Sequence, residues 1–258
     1  MSAESRATYV YGVVAAADAE AAALGAGVGG SSVRCVRHED LSAMVSEVSG
    51  DSLAAARELR AHWGVLEKAV SRATVLPVRF GTVMESEDAV REHLLAANGT
   101  KLRELLQRLS GTAQLTVKGF YDDERLLREI VRSNPAVAGL QKKLRGLPEE
   151  ATYYERIRLG EAVAAEFERA RQRDTELFLE RLSPIALDVK VTPPTSADSA
   201  VNLAFLVRRS DVDRFSGVVA ELEAELDDRM RLRYVGPLPP YSFAEADLSP
   251  AAGGHTWG

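Results

Sequence analysis

Residues 8–14, TYVYGVV, are almost wholly β-branched or aromatic and predict a strand. An alanine-rich stretch over residues 18–24 predicts a short helix, and GAGVGGSS (25–32) a flexible loop. Two strands follow at 33–37 and 41–48, with His38, Glu39 and Asp40 turning between them. Asp51 or Ser52 is a candidate cap for a helix running to residue 73. In that helix Leu59, Trp63, Leu66 and Val70 recur at the spacing of one face, which predicts that they point into the core. TVLPVRFGTV (74–83) reads as one strand. Ser86 caps a helix with Glu87 and Asp88 in its first turn, Asn98-Gly99 breaks it, and residues 101–109 are helical again.

From residue 114 the pattern restarts. QLTVKGFY is a strand, and 122–147 is helical with an interruption at Asn134-Pro135. A long helix over 152–182 follows, with Ile157, Ala164, Phe167, Phe178 and Leu182 near one face. Residues 141–182 carry as many basic as acidic side chains, and pairs such as Glu155 with Arg158 and Glu168 with Arg171 fall at helical spacing. Strands at 185–191 and 201–209, a helix from Asp211 to near Met230, and a last strand at 232–235 complete the chain. The order β, long helical excursion, β, β, α, β is that of a ferredoxin-like domain. The expected fold class is therefore α+β, with two packed domains. Residues 1–111 form a looser variant of the plan. Residues 112–258 form the ferredoxin-like domain with a helical insertion and a C-terminal strap.

Composition narrows the function. The 258 residues carry a net charge of −6, which disfavours general binding to phosphate backbones. A single cysteine, Cys35, rules out an internal disulfide and suits a reducing cytoplasm. The N-terminus lacks the basic start and long apolar run of a signal peptide, and no apolar stretch reaches membrane-spanning length.

The candidate motifs are few. Gly25, Gly27 and Gly30 fit G-x-G-x-x-G, but a helix precedes and a strand follows, the reverse of a dinucleotide site. His38, His62, His93 and His255 make no metal-binding spacing, so neither metal nor cofactor is expected. Cys35 reads as a small buried residue, and His62 as a buried or surface helix histidine. Arg79 alternates with Val78 and Phe80 and points away from them, towards solvent, a carboxylate or a partner. Pro237, Pro239 and Pro240 stiffen GPLPPYSF, so that Tyr241 and Phe243 strap the C-terminus onto apolar surface.

Taken together, YVYGVV (9–14), HWGVLEKAV (62–70), VLPVRFGTVM (75–84) and GPLPPYSF (236–243) resemble the gas vesicle protein F/L family over about residues 8–247. Leu238 departs from the tryptophan that the family often carries there. The resemblance implies a two-domain α+β protein without enzymatic activity. It implies an accessory role in building gas vesicles, the gas-filled protein shells that give some prokaryotes buoyancy. The partners it implies are the small, very hydrophobic shell protein, aided in nucleation or kept from aggregating, and other accessory proteins, with no nucleic acid and no membrane. The implied location is the cytoplasm and the gas vesicle, where the protein persists as a minor component. Tyr9, Tyr11, Arg79 and Phe80 are the expected shell-protein contacts, on strands open to an added strand or helix. The alternative is an enzyme or small-ligand sensor on a ferredoxin-like scaffold, which a pocket with converging titratable groups would favour.

Overall fold

The computed structural model describes residues 6–22, 25–49, 56–148, 150–194, 196, 198–226 and 229–244. Contacts divide the chain into two units. The first runs to Gln114 and resumes at Gly236, and the second is Leu115–Val235. The C-terminal strap was expected with the second domain, yet it groups with the first.

In the first unit, β1 (Arg6–Ala15) is central. It is followed by the short helix α1 (Ala19–Ala22), β2 (Arg34–His38), β3 (Leu41–Ser49), α2 (Ala56–Val70), β4 (Leu76–Pro77) and β5 (Val83–Met84). The strand order is β2-β3-β1-β4, with β5 also on β1. β1 pairs antiparallel with β3 from Arg6↔Ser49 to Ala15↔Leu41, and Tyr11 is the extra residue where the register shifts between Val10 and Gly12. The expected helix caps Asp51 and Ser52 lie outside the described residues.

The single strand expected over 74–83 is two short ones. Pro77 has no N–H for a ladder, and Gly81 takes φ +85° between them. Thr82 N–H donates to the Arg79 carbonyl at 3.2 Å across this turn, which needs a glycine at its third position. Ser86 caps α3 (Glu87–Ala89) by accepting from Ala89 N–H at 3.1 Å, and the helix continues with π geometry over Val90–Ala96. After Asn98 comes α4 (Gly99–Arg108).

The second unit comprises most of β6 (Thr112–Tyr121), then α5 (Asp123–Ser133), α6 (Pro135–Leu144), α7 (Tyr153–Leu182), β7 (Asp188–Val191), β8 (Ser199–Arg208), α8 (Val212–Leu226) and most of β9 (Met230–Leu238). Asp122 caps α5, and Asn134 caps α6 with Pro135 in its first turn, so the interruption is a helix start. The order β7-β8-β6-β9 places the unit's strands second, third, first, fourth. The first unit's β2-β3-β1-β4 follows the same order. Leu115, Phe178, Leu182, Phe205 and Phe215 lie in the second unit's core. The long helix buries Ala170, Asp174, Phe178 and Leu182, whereas Ile157, expected on the inner face, is exposed. Asp174 is tolerated inside because Tyr121 donates to it at 2.5 Å and Arg229 forms an ion pair with it.

Candidate functional site

The site begins with the rotation of α2. Leu66 and Val70 are buried as expected, but Leu59 is 40% and Trp63 38% exposed, while Glu58 and His62 are turned inside. The cause lies on β1. Tyr9 and Tyr11 project beneath α2; Tyr11 Oη pairs with Ser46 Oγ of β3 at 2.8 Å, and the buried Tyr9 hydroxyl finds its partner on α2. Tyr9 Oη lies 2.9 Å from His62 Nδ1, and His62 Nε2 lies 3.2 Å from Tyr241 Oη. A neutral imidazole donates from one nitrogen and accepts at the other, so the two tyrosines play opposite roles. Burial pushes the His62 pKa down to about 4 and holds the Tyr9 and Tyr11 hydroxyls above their ordinary values. Both ring nitrogens are occupied inside the unit, which leaves none for a substrate.

The glycine-rich loop closes the other side of this cluster. Val28 N–H donates to Tyr11 Oη at 2.7 Å, and Gly29 N–H to Glu58 Oε2 at 2.8 Å. The loop expected to be flexible is thus pinned, and these amides serve Tyr11 and Glu58. A Cβ on Gly27 would stand 2.0 Å from Tyr11 Oη. Gly27→Ala is therefore expected to cost roughly 1–3 kcal/mol, read as a lowered denaturation midpoint; an unchanged midpoint would show that the loop is not held there.

Phe80 lies at the rim, its ring 5.5 Å from His62 and 6.3 Å from Tyr9, and Gly81 N–H donates to Tyr9 Oη at 3.2 Å. Arg79 is exposed and has no ion-pair partner among the described residues. Tyr9 and Tyr11, expected to touch a partner, are wholly buried and cannot reach one in this conformation. They form the support for an outer layer of Leu59, Trp63, Phe80 and Tyr241. Nothing at residues 59 and 63 marks them as outward-facing in isolation. The available signal was the pair Glu58 and His62, one helical turn apart, opposite two strand tyrosines.

The C-terminal run does not stay extended. β9 carries the chain through Leu238, Pro237 is exposed, Pro239 and Pro240 are buried, and the short helix α9 (Tyr241–Ala244) follows. Tyr241 therefore does not share one side of a strand with Phe243. Tyr241 packs on Trp63 with ring centroids 4.7 Å apart, whereas Phe243 is 4% exposed. Ser242 N–H donates to Gln114 Oε1 at 2.8 Å, and Arg108 donates to the Phe243 carbonyl at 3.0 Å. α9 packs beside β4, covering the sheet edge expected to accept an added strand.

Elsewhere Cys35 is half-buried, donates to the Ala19 carbonyl at 3.4 Å, and has its thiol pKa raised by burial. Among the described residues no cluster of three or more His, Cys, Asp or Glu side chains fits a metal ion, and no helix is long and apolar enough to cross a membrane.

A family described as "Gas vesicle synthesis protein GvpL/GvpF" matches residues 7–245. Gas vesicle protein F of Streptomyces sp. (strain CB03234) is 33% identical over 240 residues, which cover 92% of this chain and 99% of that protein. Gas vesicle protein F of Microcystis aeruginosa (strain PCC 7806) is 31% identical, over 75% of this chain and 79% of that protein. The crystal structure of the gas vesicle protein GvpF from Anabaena sp. PCC7120 superimposes with a TM-score of 0.80 at 28% identity. That match covers 94% of this chain and 100% of the other.

Proposed function

This chain belongs to the GvpL/GvpF family of gas vesicle synthesis proteins, and from that membership we propose that it serves vesicle assembly by binding the small hydrophobic shell protein. It acts as a non-enzymatic accessory in the cytoplasm and at the growing vesicle. The observation that carries the reading is the rotation of α2, which buries Glu58 and His62 and presents Leu59 and Trp63. A helix that hides polar groups and shows apolar ones has a surface suited to a partner. Phe80 and Tyr241 extend that surface, and Arg79, which has no ion-pair partner among the described residues, borders it with a guanidinium that orients a partner by charge-assisted hydrogen bonds. A shell protein that presents hydrophobic surface before assembly needs such cover, and a net charge of −6 keeps the carrier dispersed.

The test uses the intact chain, because residues 236–244 pack within the first unit and a cut after residue 111 would strip them away. Co-expression with the shell protein and co-purification should retain it. Leu59→Glu combined with Arg79→Glu should lower retention at least tenfold, about 1.4 kcal/mol, with an unchanged melting temperature. Equal retention by the variant would move the contact elsewhere. No retention by the wild-type chain would overturn the shell-protein reading itself.

A further inference from the structure

Where α5, α6 and α7 meet in the second unit they leave a groove of about 860 Å³, whose lining includes Val131, Val137, Leu159 and Val163. A smaller hollow of about 250 Å³ adjoins it and shares Leu127, Val131 and Gln141. Three features of this place are unexplained by the packing of the unit. The first is charge. Arg128, Arg132, Lys142, Arg145 and Arg156 line the two hollows and, among the described residues, no carboxylate does. In a chain of net charge −6 this is a local reversal. Arg156 is engaged with Thr152 Oγ1 and the Leu147 carbonyl, and Arg128 Nε donates to the Glu124 carbonyl at 3.1 Å; Arg128, Arg132, Lys142 and Arg145 have no ion-pair partner among the described residues.

The second feature is Gly160, inside a helix of 30 residues, where glycine is less stable than alanine. A Cβ there would meet nothing within 4 Å, so nothing inside the unit requires the glycine. It lines the groove and lets another backbone approach closely. The third is an exposed aromatic side chain on the groove-lining face of α7. Tyr153 is 63% exposed and stands at helical spacing from Arg156, Gly160 and Val163.

We propose that this groove is a docking site for an acidic amphipathic helix of a protein partner, distinct from the surface around Trp63. The lining of α7 from Arg156 to Val163 spans about two helical turns, or ~11 Å, which matches apolar anchors at positions i, i+3 or i+4, and i+7 of a docked helix. Cations supplied by three helices around two adjoining hollows suit a row of carboxylates along such a helix better than one anionic head group. The apolar wall supplies the affinity, and the cations select an acidic partner and speed its approach.

The test titrates the intact protein with two labelled synthetic peptides of about four helical turns that share one leucine face, flanked by glutamates in one and lysines in the other. The acidic peptide should bind, its affinity should fall as salt rises, and the lysine peptide should bind at least tenfold more weakly. Gly160→Leu should weaken the acidic peptide at least tenfold while the melting temperature holds or rises, because leucine fills open space and favours helix. Lys142→Glu with Arg145→Glu should act in the same direction on binding. Equal binding of both peptides, or undiminished binding to Gly160→Leu, would overturn the proposal. A solution mass that doubles for the wild type and is monomeric for Gly160→Leu would overturn it in favour of a second copy of the chain. Binding of phosphatidylglycerol vesicles, but not of the acidic peptide, would overturn it in favour of lipid.

Discussion

Phe243→Ala is expected to cost about 3 kcal/mol, and removal of the chain from residue 236 onward more than that. The ring is 4% exposed and lies in a segment tied down by Gln114, Arg108 and His62, all of the first unit. Alanine would leave a cavity where the ring stands, and the loss combines transfer free energy with the void. Truncation also removes the end of β9, the buried Pro239 and Pro240, and the second hydrogen bond of His62. Thermal denaturation followed by circular dichroism reads the overall loss, expected at roughly 6–12 °C for the point variant. Trp63, which packs on Tyr241, reads it locally, and it is the one tryptophan left after truncation. A cooperative melt at the wild-type midpoint in both proteins would mean that the proline-rich run contributes nothing to the first unit.

Acid is expected to destabilise the same unit well above the pH at which most carboxylates titrate. The His62 pKa falls from 6.5 to about 4 in the folded chain through loss of hydration. Between those values the unfolded chain binds a proton that the folded chain refuses, so stability rises with pH across the window. The contribution is complete above about 6.5 and is lost as the pH falls towards 4, on the order of 3 kcal/mol over the whole span. Protonation would also make both ring nitrogens donors, which breaks the donor-acceptor division between Tyr9 and Tyr241. Asp40, exposed beside Arg103, does not blur the window. Its pKa lies below the ordinary 3.8, so what it adds is present above that value and is lost only in stronger acid. Urea denaturation at pH 7 and at pH 4.5 should show the loss in the wild-type chain. His62→Gln should be less stable at neutral pH yet flatter between the two. Identical slopes for the two proteins would remove His62 from the account.

Most elements follow from local rules. The alternating Tyr and Val residues of β1, the caps Ser86, Asp122 and Asn134, the break at Asn98-Gly99 and the 30-residue α7 each have a cause within a few neighbours in the chain. The β, α, β, β, α, β order of the second unit is likewise a property of the order of segments. The resemblance to the gas vesicle family was legible in four short motifs, 9–14, 62–70, 75–84 and 236–243. What the sequence alone left open are choices between local alternatives of similar energy. The period of α2 allows the stripe of Leu59 and Trp63, or that of Glu58 and His62, to face inward. Leucine and tryptophan gain more by burial than glutamate and histidine, so the local reading favours the first. The second prevails because Tyr9 and Gly29, distant in sequence, bring a buried hydroxyl to His62 and an amide to Glu58. For the same reason the glycine loop is held rather than mobile, and α9 finds its place beside β4. The identity of most helices and strands could be read from the chain, because those preferences are settled within one or two turns of it; the exceptions are residues 74–83, which form two short strands, and 241–244, which form α9. Only the tertiary structure decided which faces are hidden, because unpaired buried polar groups are penalised wherever in the chain their partners lie.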